Sequence, residues 1–271
     1  MTTPLPTRDE LGAHLVQDRI AGDVATTRED NLWKYGLLAS RMSKVMFGLE
    51  PTGRWTLDDV LDLMVDRVGV SPDRGHLRGA DTIDPGKTLD ALDRMATHLA
   101  AAARPGSRVL LATGHPAGLL VVHAAVARAM AAAGASVLTP GAGTSYDAMT
   151  RRGRVTRHVR YVEQVAVVSS VGDLNHTHSP APMRGLLAAL AEAGEAPPDL
   201  VVGDHGWAGA AGQAGVPTVG FADCNDPALF VGEAEGTVAV AVPLDDNVQP
   251  QLYAPMTAYL LAAAGLTDPA T

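Results

Sequence analysis

Apolar residues in the first hundred positions recur at the three- and four-residue spacing of helices. Thr7-Arg8-Asp9-Glu10 has the form of a capping box, in which the Thr7 hydroxyl meets an orphan N–H and Glu10 reaches back; Leu11, Leu15 and Val16 supply the apolar face behind it. The pattern predicts a second helix over Asp30 to Phe47. A third opens at Thr56, where Asp58 and Asp59 favour the positive helix end, and runs on through Val60, Leu61, Met64, Val65 and Val68. Ser71 to Gly86, rich in Pro, Gly and Asp, reads as a loop, and Thr88 to Ala103 as helix again.

At Arg108 the period changes. Val109 to Thr113 is a short apolar run ending at Gly114, followed by a helical stretch to Ala133, the punctuation of Gly134, and extended chain at Ser136 to Leu138. Strand, helix, glycine, strand is the βαβ signature and implies parallel pairing. Apolar runs between Arg154 and Ser170 suggest a hairpin. A helix follows at Met183 to Ala193, a strand at Leu200 to Val202, a small-residue helix at Trp207 to Ala214, strands at Thr218 to Phe221 and Thr237 to Val242, and a closing helix at Pro255 to Ala264. The expected fold is α/β: a Rossmann-like, mostly parallel sheet with helices on both faces and a helical N-terminal layer. Residues 1–104 form that layer and 105–271 the α/β core, within one compact domain; no internal repeat and no obvious linker interrupts the chain.

In open α/β sheets ligands bind beyond the carboxyl ends of the strands, and here those ends carry the polar residues. The runs are Thr113-Gly114-His115-Pro116, Gly203-Asp204-His205-Gly206-Trp207, Ala222-Asp223-Cys224-Asn225-Asp226-Pro227 and Leu244-Asp245-Asp246-Asn247, joined by His176-Thr177-His178 just before a helix. Each has a bland reading. Asn-Asp-Pro is a common turn and cap sequence, and a lone His115 is ordinarily a satisfied polar residue. The His176/His178 pair is more telling, because an i, i+2 spacing in extended chain aims both imidazoles to one side. The coincidence of several such clusters at equivalent strand ends favours one site. Asp204, Asp223, Asp226, His176 and His178 are the expected ligands of a divalent metal, with Mg or Mn favoured and Zn or Fe as alternatives. His115, His205 and Asp223 are the expected catalytic groups.

Thr113 and Gly114 open a glycine-containing turn that could present backbone N–H groups to a phosphate, although the chain has neither a GxxxxGK[ST] nor a GxGxxG motif. The basic run Arg151 to Arg160 is either a solvated hairpin or subunit contact or a phosphate clamp, with Arg157 and Arg160 as its contacts. Asn225 joins this set. Trp207 either lines the pocket or covers the core, and Cys224 is read as packing.

Composition narrows the classes. The 271 residues carry a formal charge of −9 and 4% aromatics, which argues against a nucleic-acid or anionic-membrane binder. One cysteine allows no internal disulfide, MTTPLPTRDE lacks the form of a signal peptide, and the uncharged run between Arg108 and Arg128 contains His115, Pro116 and His123. The expectation is a soluble cytosolic protein without a membrane span.

TGHPAGLL (Thr113 to Leu120), HTHSPAPM (His176 to Met183), DHGWAGAAGQ (Asp204 to Gln213), FADCNDPALF (Phe221 to Phe230), VPLDDNV (Val242 to Val248) and PMTAYLL (Pro255 to Leu261) together resemble a family, represented mainly by actinobacterial chains, that carries the bare name phosphatase. The resemblance spans essentially the whole chain. It implies hydrolysis of a phosphate ester in the cytosol and brings no residue roles with it. The Asp-x-Asp opening of haloacid-dehalogenase phosphatases and the Cys-x5-Arg loop of tyrosine phosphatases are both absent. The expected function is therefore metal-dependent hydrolysis of a small-metabolite phosphomonoester (of a sugar, nucleoside or amino alcohol), with the phosphorylated substrate as partner and a homo-oligomer as a possible assembly. A lyase or cyclase acting on a small carboxylate, and a non-catalytic ligand-binding protein, are the alternatives.

Overall fold

The computed structural model describes residues 5–150 and 153–270. The N-terminal layer begins with α1 (Arg8–Gln17), whose Thr7–Glu10 capping box forms as its residue types dictate, and which buries Leu11 and Leu15. The strand β1 (Gly22–Thr27) leads into α2 (Arg28–Ala39), and a capping box at Thr56 and Asp59 starts α3 (Leu57–Arg67). A short strand β2 (Ala80–Ile83) precedes α4 (Pro85–Ala102), capped by the Asp84 side chain.

Two expectations for this layer are corrected. The loop expected over Ser71 to Gly86 contains β2, which pairs antiparallel with β1. That pairing joins segments more than fifty residues apart, so no local turn signal announces it. It is held by a buried polar node: Arg28 Nη1 lies 3.0 Å from Asp81 Oδ2, and the Arg28 Nε donates to the His76 carbonyl. The second helix stops at Ala39 rather than Phe47, since Arg41 and Phe47 both take positive φ and only a single 3₁₀ turn, Ser43–Val45, remains between them.

The core sheet has nine strands among the described residues. In chain order they are β3 (Arg108–Ala112), β4 (Ser136–Val137), β5 (Ser145–Thr150), β6 (Gly153–Val162), β7 (Val165–Ser170), β8 (Asp173–Asn175), β9 (Leu200–Asp204), β10 (Thr218–Ala222) and β11 (Val240–Pro243). Their spatial order is β11-β10-β9-β3-β7-β6-β5, with β4 beside β3 and β8 beside β7. From β11 to β7 all pairing is parallel, as is β3 with β4; β5, β6 and β8 add antiparallel strands. The expected hairpin is β6–β7, and β5 extends it with a strand that the sequence reading left out, its burial alternating between exposed and half-buried.

Alternation along the strands divides the core in two. Val109 and Leu111 point to the face covered by α4, α5 (Leu120–Ala132) and α9 (Ala254–Ala263); Leu110 and Ala112 point to the face covered by α6 (Ala181–Glu192) and α7 (His205–Gln213). A further helix, α8 (Pro227–Ala234), follows β10. The chain moves from β3 to β4 and β7 on one side, then to β9 and beyond on the other. The carboxyl ends of β3 and β9 therefore flank a topological switch point, where α/β folds leave a crevice. Among the described residues no helix is long and apolar enough to cross a membrane.

Candidate active site

Five segments meet at that crevice. β3 delivers Thr113, Gly114 and His115; the loop after β8 delivers His176 and His178; β9 delivers Asp204 and His205; the β10 end delivers Asp223 and Asp226; the β11 end delivers Asp245, Asp246 and Asn247. Close backbone approach is built into the sequence. A methyl at Gly114 would overlap the Thr177 carbonyl oxygen, and one at Gly206 would overlap the His178 and Ser179 carbonyls, so glycine at both positions lets the histidine loop lie against β3 and α7.

Asp204 is the hub. It is fully buried and accepts from Thr113 Oγ1 at 2.5 Å and from the Gly114 N–H at 2.6 Å; His205 Nδ1 lies 2.8 Å away and His123 Nε2 3.3 Å. Burial alone would raise its pKa, but the imidazoles of His123 and His205 outweigh that and hold it well below the usual carboxylate range. His205 sits at φ +45°, a left-handed conformation that a non-glycine residue adopts at a cost of about 1–3 kcal/mol and that tends to persist at functional sites. Its Nε2 is aimed at Asp226 Oδ2 (3.2 Å) and Asp246 Oδ2 (3.3 Å). Burial opposes the charge on His205, but Asp226 and Asp204 together raise its pKa well above the ordinary value. Asp226 is pushed up by burial and pulled down further by His205, reaching about 2.

The other imidazoles pack around His205. His178 stacks on it at 4.4 Å between ring centroids, His115 stacks on His176 at 4.4 Å, and His176 and His178 lie 4.7 Å apart. Phe47, from the N-terminal layer, closes edge-on against His178 and His205. Burial, and then the positive His205, lower His178 to about 3 and His176 to about 4, so both are neutral near pH 7. His115 Nδ1 lies 3.1 Å from Asp246 Oδ1, and its Nε2 lies 3.3 Å from Asn247 Oδ1. Burial lowers its pKa, but the contact with Asp246 more than offsets this and the net shift is upward.

Among the described residues, two groups could hold a cation: His115 with His176 and His205, and His205 with Asp226 and Asp246. Within each group the ligand atoms lie within 4.8 Å of one another. Of the five ligands expected from sequence, Asp226 and His176 fall in these groups. His178 stands beside them, stacked on His205. Both Asp204 oxygens are occupied by the contacts that orient His205. Asp223 accepts from Thr26 Oγ1 at 2.5 Å and from the Cys224 N–H at 2.6 Å. Burial, and then the neighbouring Asp246 and Asp245, push its carboxyl well above the usual range. Asp226 occupies the N-cap position of α8 yet makes no side-chain cap hydrogen bond, so the cap reading does not describe it.

The Thr113 hydroxyl and Gly114 N–H, expected to meet a phosphate, are spent on Asp204. Asn225 bridges Lys34 and Asp30. Trp207 is fully buried in the core cluster under α6 and α7, which is its packing reading. Arg157 and Arg160 are three positions apart on β6 and so point to opposite faces. Arg157 is half-buried and reaches the His176 carbonyl at 3.4 Å; Arg160 is exposed. Arg151 and Arg152 of the same run lie outside the described residues.

Sequence reasoning passed over four residues of the site. Asp246 was seen at a strand end but given no role, although its position after β11 matches those of Asp204 and Asp223. His123, in the first turn of α5, points back at Asp204. Lys34, 3.7 Å from Asp226, and Phe47 come from the distant N-terminal layer, and no local spacing reveals them.

The opening above His115 and His176 has a volume of about 370 Å³ and is lined also by Pro116, Ala117, Leu174 and Asn247. A larger groove of about 540 Å³ beside α5 and α9 is mostly apolar and is lined by none of these groups; the chemistry belongs to the smaller one.

Comparison with known proteins agrees with this geometry in extent. The profile of the family described as Phosphatase matches residues 6–268. A Streptomyces coelicolor protein named as a phosphatase is 52% identical over 266 residues, which cover 96% of this chain and 97% of that protein. Matched from the first helix to the last and sharing half its residues with that relative, this chain belongs to the Phosphatase family.

Proposed function

We propose that the chain is a metal-dependent phosphatase that hydrolyses a phosphomonoester of a small metabolite. The observation that carries the proposal is the convergence of His205, Asp226 and Asp246, backed by Asp204, beneath an opening lined by His115 and His176, in a chain of this family.

These residues fit a cation. His205 gives its Nδ1 to Asp204 and turns its Nε2 to the crevice; a carboxylate behind an imidazole is the usual way a protein orients a histidine ligand. With Asp226 and Asp246 the set is one nitrogen and two carboxylates, which suits manganese or magnesium. Bound there, a dication would supply positive charge that polarises a phosphoryl oxygen and makes a water a better nucleophile.

The chain's own groups serve the rest. His115, whose pKa Asp246 moves upward against the effect of burial, is steadied by Asn247 and lines the opening, so it is placed to protonate the leaving oxygen. Arg157, whose Nε is buried without a partner, is the arginine on the crevice side of β6 and a candidate contact for substrate phosphate. Beside the two imidazoles, which already stack on each other, the lining is Pro116, Ala117, Leu174 and Asn247, with no Phe, Tyr or Trp among the described lining residues, which favours a compact organic group such as a sugar or amino alcohol.

Protein stripped with a chelator should release no inorganic phosphate from a panel of phosphomonoesters and should regain hydrolysis when manganese or magnesium is returned. His205→Ala should abolish it. Cleavage that persists undiminished in chelator, or no cleavage of any ester with any divalent ion, would overturn the proposal.

A further inference from the structure

Lys34 belongs to α2 of the N-terminal layer, yet its side chain is only 17% exposed, whereas lysines seldom leave the surface unless they are paired. Its Nζ donates to Asn225 Oδ1 at 2.8 Å and lies 3.7 Å from both Asp30 Oδ2 and Asp226 Oδ1. Asn225 in turn donates from Nδ2 to Asp30 Oδ2 at 2.8 Å. The ammonium is thus held in a closed polar ring that ties α2 to the end of β10.

The ring bears on how Asp226 can use its two oxygens. Oδ1 faces Lys34, while Oδ2 is 3.2 Å from His205 Nε2. Asp226 stands at the N-cap of α8 but makes no side-chain cap hydrogen bond there, so the ammonium and the imidazole orient this carboxylate. Asp246 is divided likewise, with Oδ2 3.3 Å from His205 Nε2 and Oδ1 3.1 Å from His115 Nδ1. Each carboxylate turns one oxygen toward His205 and the other toward a different basic side chain.

We infer that Lys34 determines which cation the site takes: by engaging Asp226 Oδ1 it limits this carboxylate to one ligand oxygen and makes the position favour manganese or magnesium over calcium. Calcium gathers about six to eight oxygens and readily takes a carboxylate by both, whereas magnesium demands a near-ideal octahedron and manganese shares that preference. To give both oxygens to one cation, Asp226 would have to turn Oδ1 from Lys34 and leave a largely buried ammonium without that partner, facing a dication. Lys34 acts through Asp226 and is a positioning residue. The inference rests on the reading of His205, Asp226 and Asp246 as the cation position.

The test is equilibrium dialysis of metal-free full-length protein against manganese and, separately, against calcium, with bound metal measured and no substrate present. Wild type should bind manganese more tightly than calcium. Lys34→Met should raise calcium affinity relative to manganese by roughly tenfold, a change of the size commonly made by a group that orients a metal ligand, and Lys34→Arg should keep the wild-type ratio. The ratio is the readout because a looser fold, or the loss of one positive charge by itself, acts alike on two dications. Lys34→Gln, which keeps a polar group for Asn225, should move the ratio in the same direction and serves if Lys34→Met does not fold. A ratio unchanged in the uncharged variants would overturn the inference and leave the cation position standing. Wild-type protein that takes up no manganese would overturn the cation position itself, and the inference with it.

Discussion

Asp204 accepts from two imidazoles, a hydroxyl and a backbone N–H, and the imidazoles hold its pKa well below the usual carboxylate range; Asp223, 5% exposed, accepts from one hydroxyl and one N–H, and burial, then Asp246 and Asp245, push its carboxyl well above that range. The same substitution should therefore act differently at the two positions. Asp204→Asn removes a buried charge that balances His205, a change that typically costs about 3–5 kcal/mol, and should also weaken manganese binding roughly 10–100-fold by releasing the His205 ring. Asp223→Asn substitutes a neutral group of similar shape for a carboxyl that its surroundings already bias toward the neutral form, and should cost under about 1 kcal/mol. Denaturant unfolding of the two variants in the absence of metal checks the contrast; equal losses would show that their protonation states do not differ. The sign of the pH dependence follows from His205. Its pKa is raised in the metal-free protein, so near neutrality a cation must displace its proton. Manganese affinity should climb with pH, by up to about tenfold per unit for the one proton released, and level off once pH passes the His205 pKa. Binding isotherms between pH 5.5 and 8 that show no proton release would refute this.

Between elements, the site depends on how near the histidine loop comes to β3 and α7. Gly206 lies against the His178 and Ser179 carbonyls, and Gly206→Ala should force that loop outward, costing about 1–3 kcal/mol as an overpacked contact and carrying His176 and His178 away from His205. Gly185, inside α6 with nothing within 4 Å of an added methyl, is the control: Gly185→Ala should stabilise by about 0.4–1 kcal/mol and leave metal binding alone. If both variants melt alike, close approach is not what holds the loop. The elements themselves were legible to the degree that their signals were local. Val109 to Thr113, Leu200 to Val202 and Thr218 to Phe221 announce buried parallel strands because continuous apolar runs are needed when helices cover both faces. β1 and β2 were not legible, because neither segment satisfies its backbone until the chain has passed α2 and α3. The clustering of Asp204, Asp226 and the histidines at one rim could be read from strand ends alone. Which carboxylate faces the crevice and which accepts from neighbouring groups depends on side-chain partners tens of residues away, and that is why the strand ends alone do not single out Asp246 or show what each Asp204 oxygen accepts.

Across the whole molecule, the N-terminal layer and the sheet share both a core and a site. α4 packs on β11 and α9, and α3 and α2 pack on α8. Polar contacts cross the same boundary: Thr26 reaches Asp223, Tyr35 donates to the Cys224 carbonyl at 2.6 Å, Lys34 meets Asn225 and Asp226, and the Thr88 hydroxyl donates to the Pro243 carbonyl. The alternation of strands and helices after Arg108 would suggest a core able to stand alone, but the energetics argue otherwise. Leu89, Leu92, Met95 and Leu99 of α4 are buried, and at about 2 kcal/mol each their loss removes roughly 8 kcal/mol. That is comparable with the whole stability of a typical domain, about 5–15 kcal/mol. Residues 105–271 expressed alone should therefore lack a cooperative thermal transition, bind a hydrophobic dye, and fail to retain manganese, because Asp226 and the strand ends lose the partners that hold them in place. Adding residues 1–104 as a separate chain should restore the transition if the layer docks as a unit. A fragment 105–271 that melts cooperatively and binds manganese as tightly as the full chain would make the N-terminal layer an accessory, and the contacts of Lys34, Thr26 and Phe47 with the site would then carry no energy that the site requires.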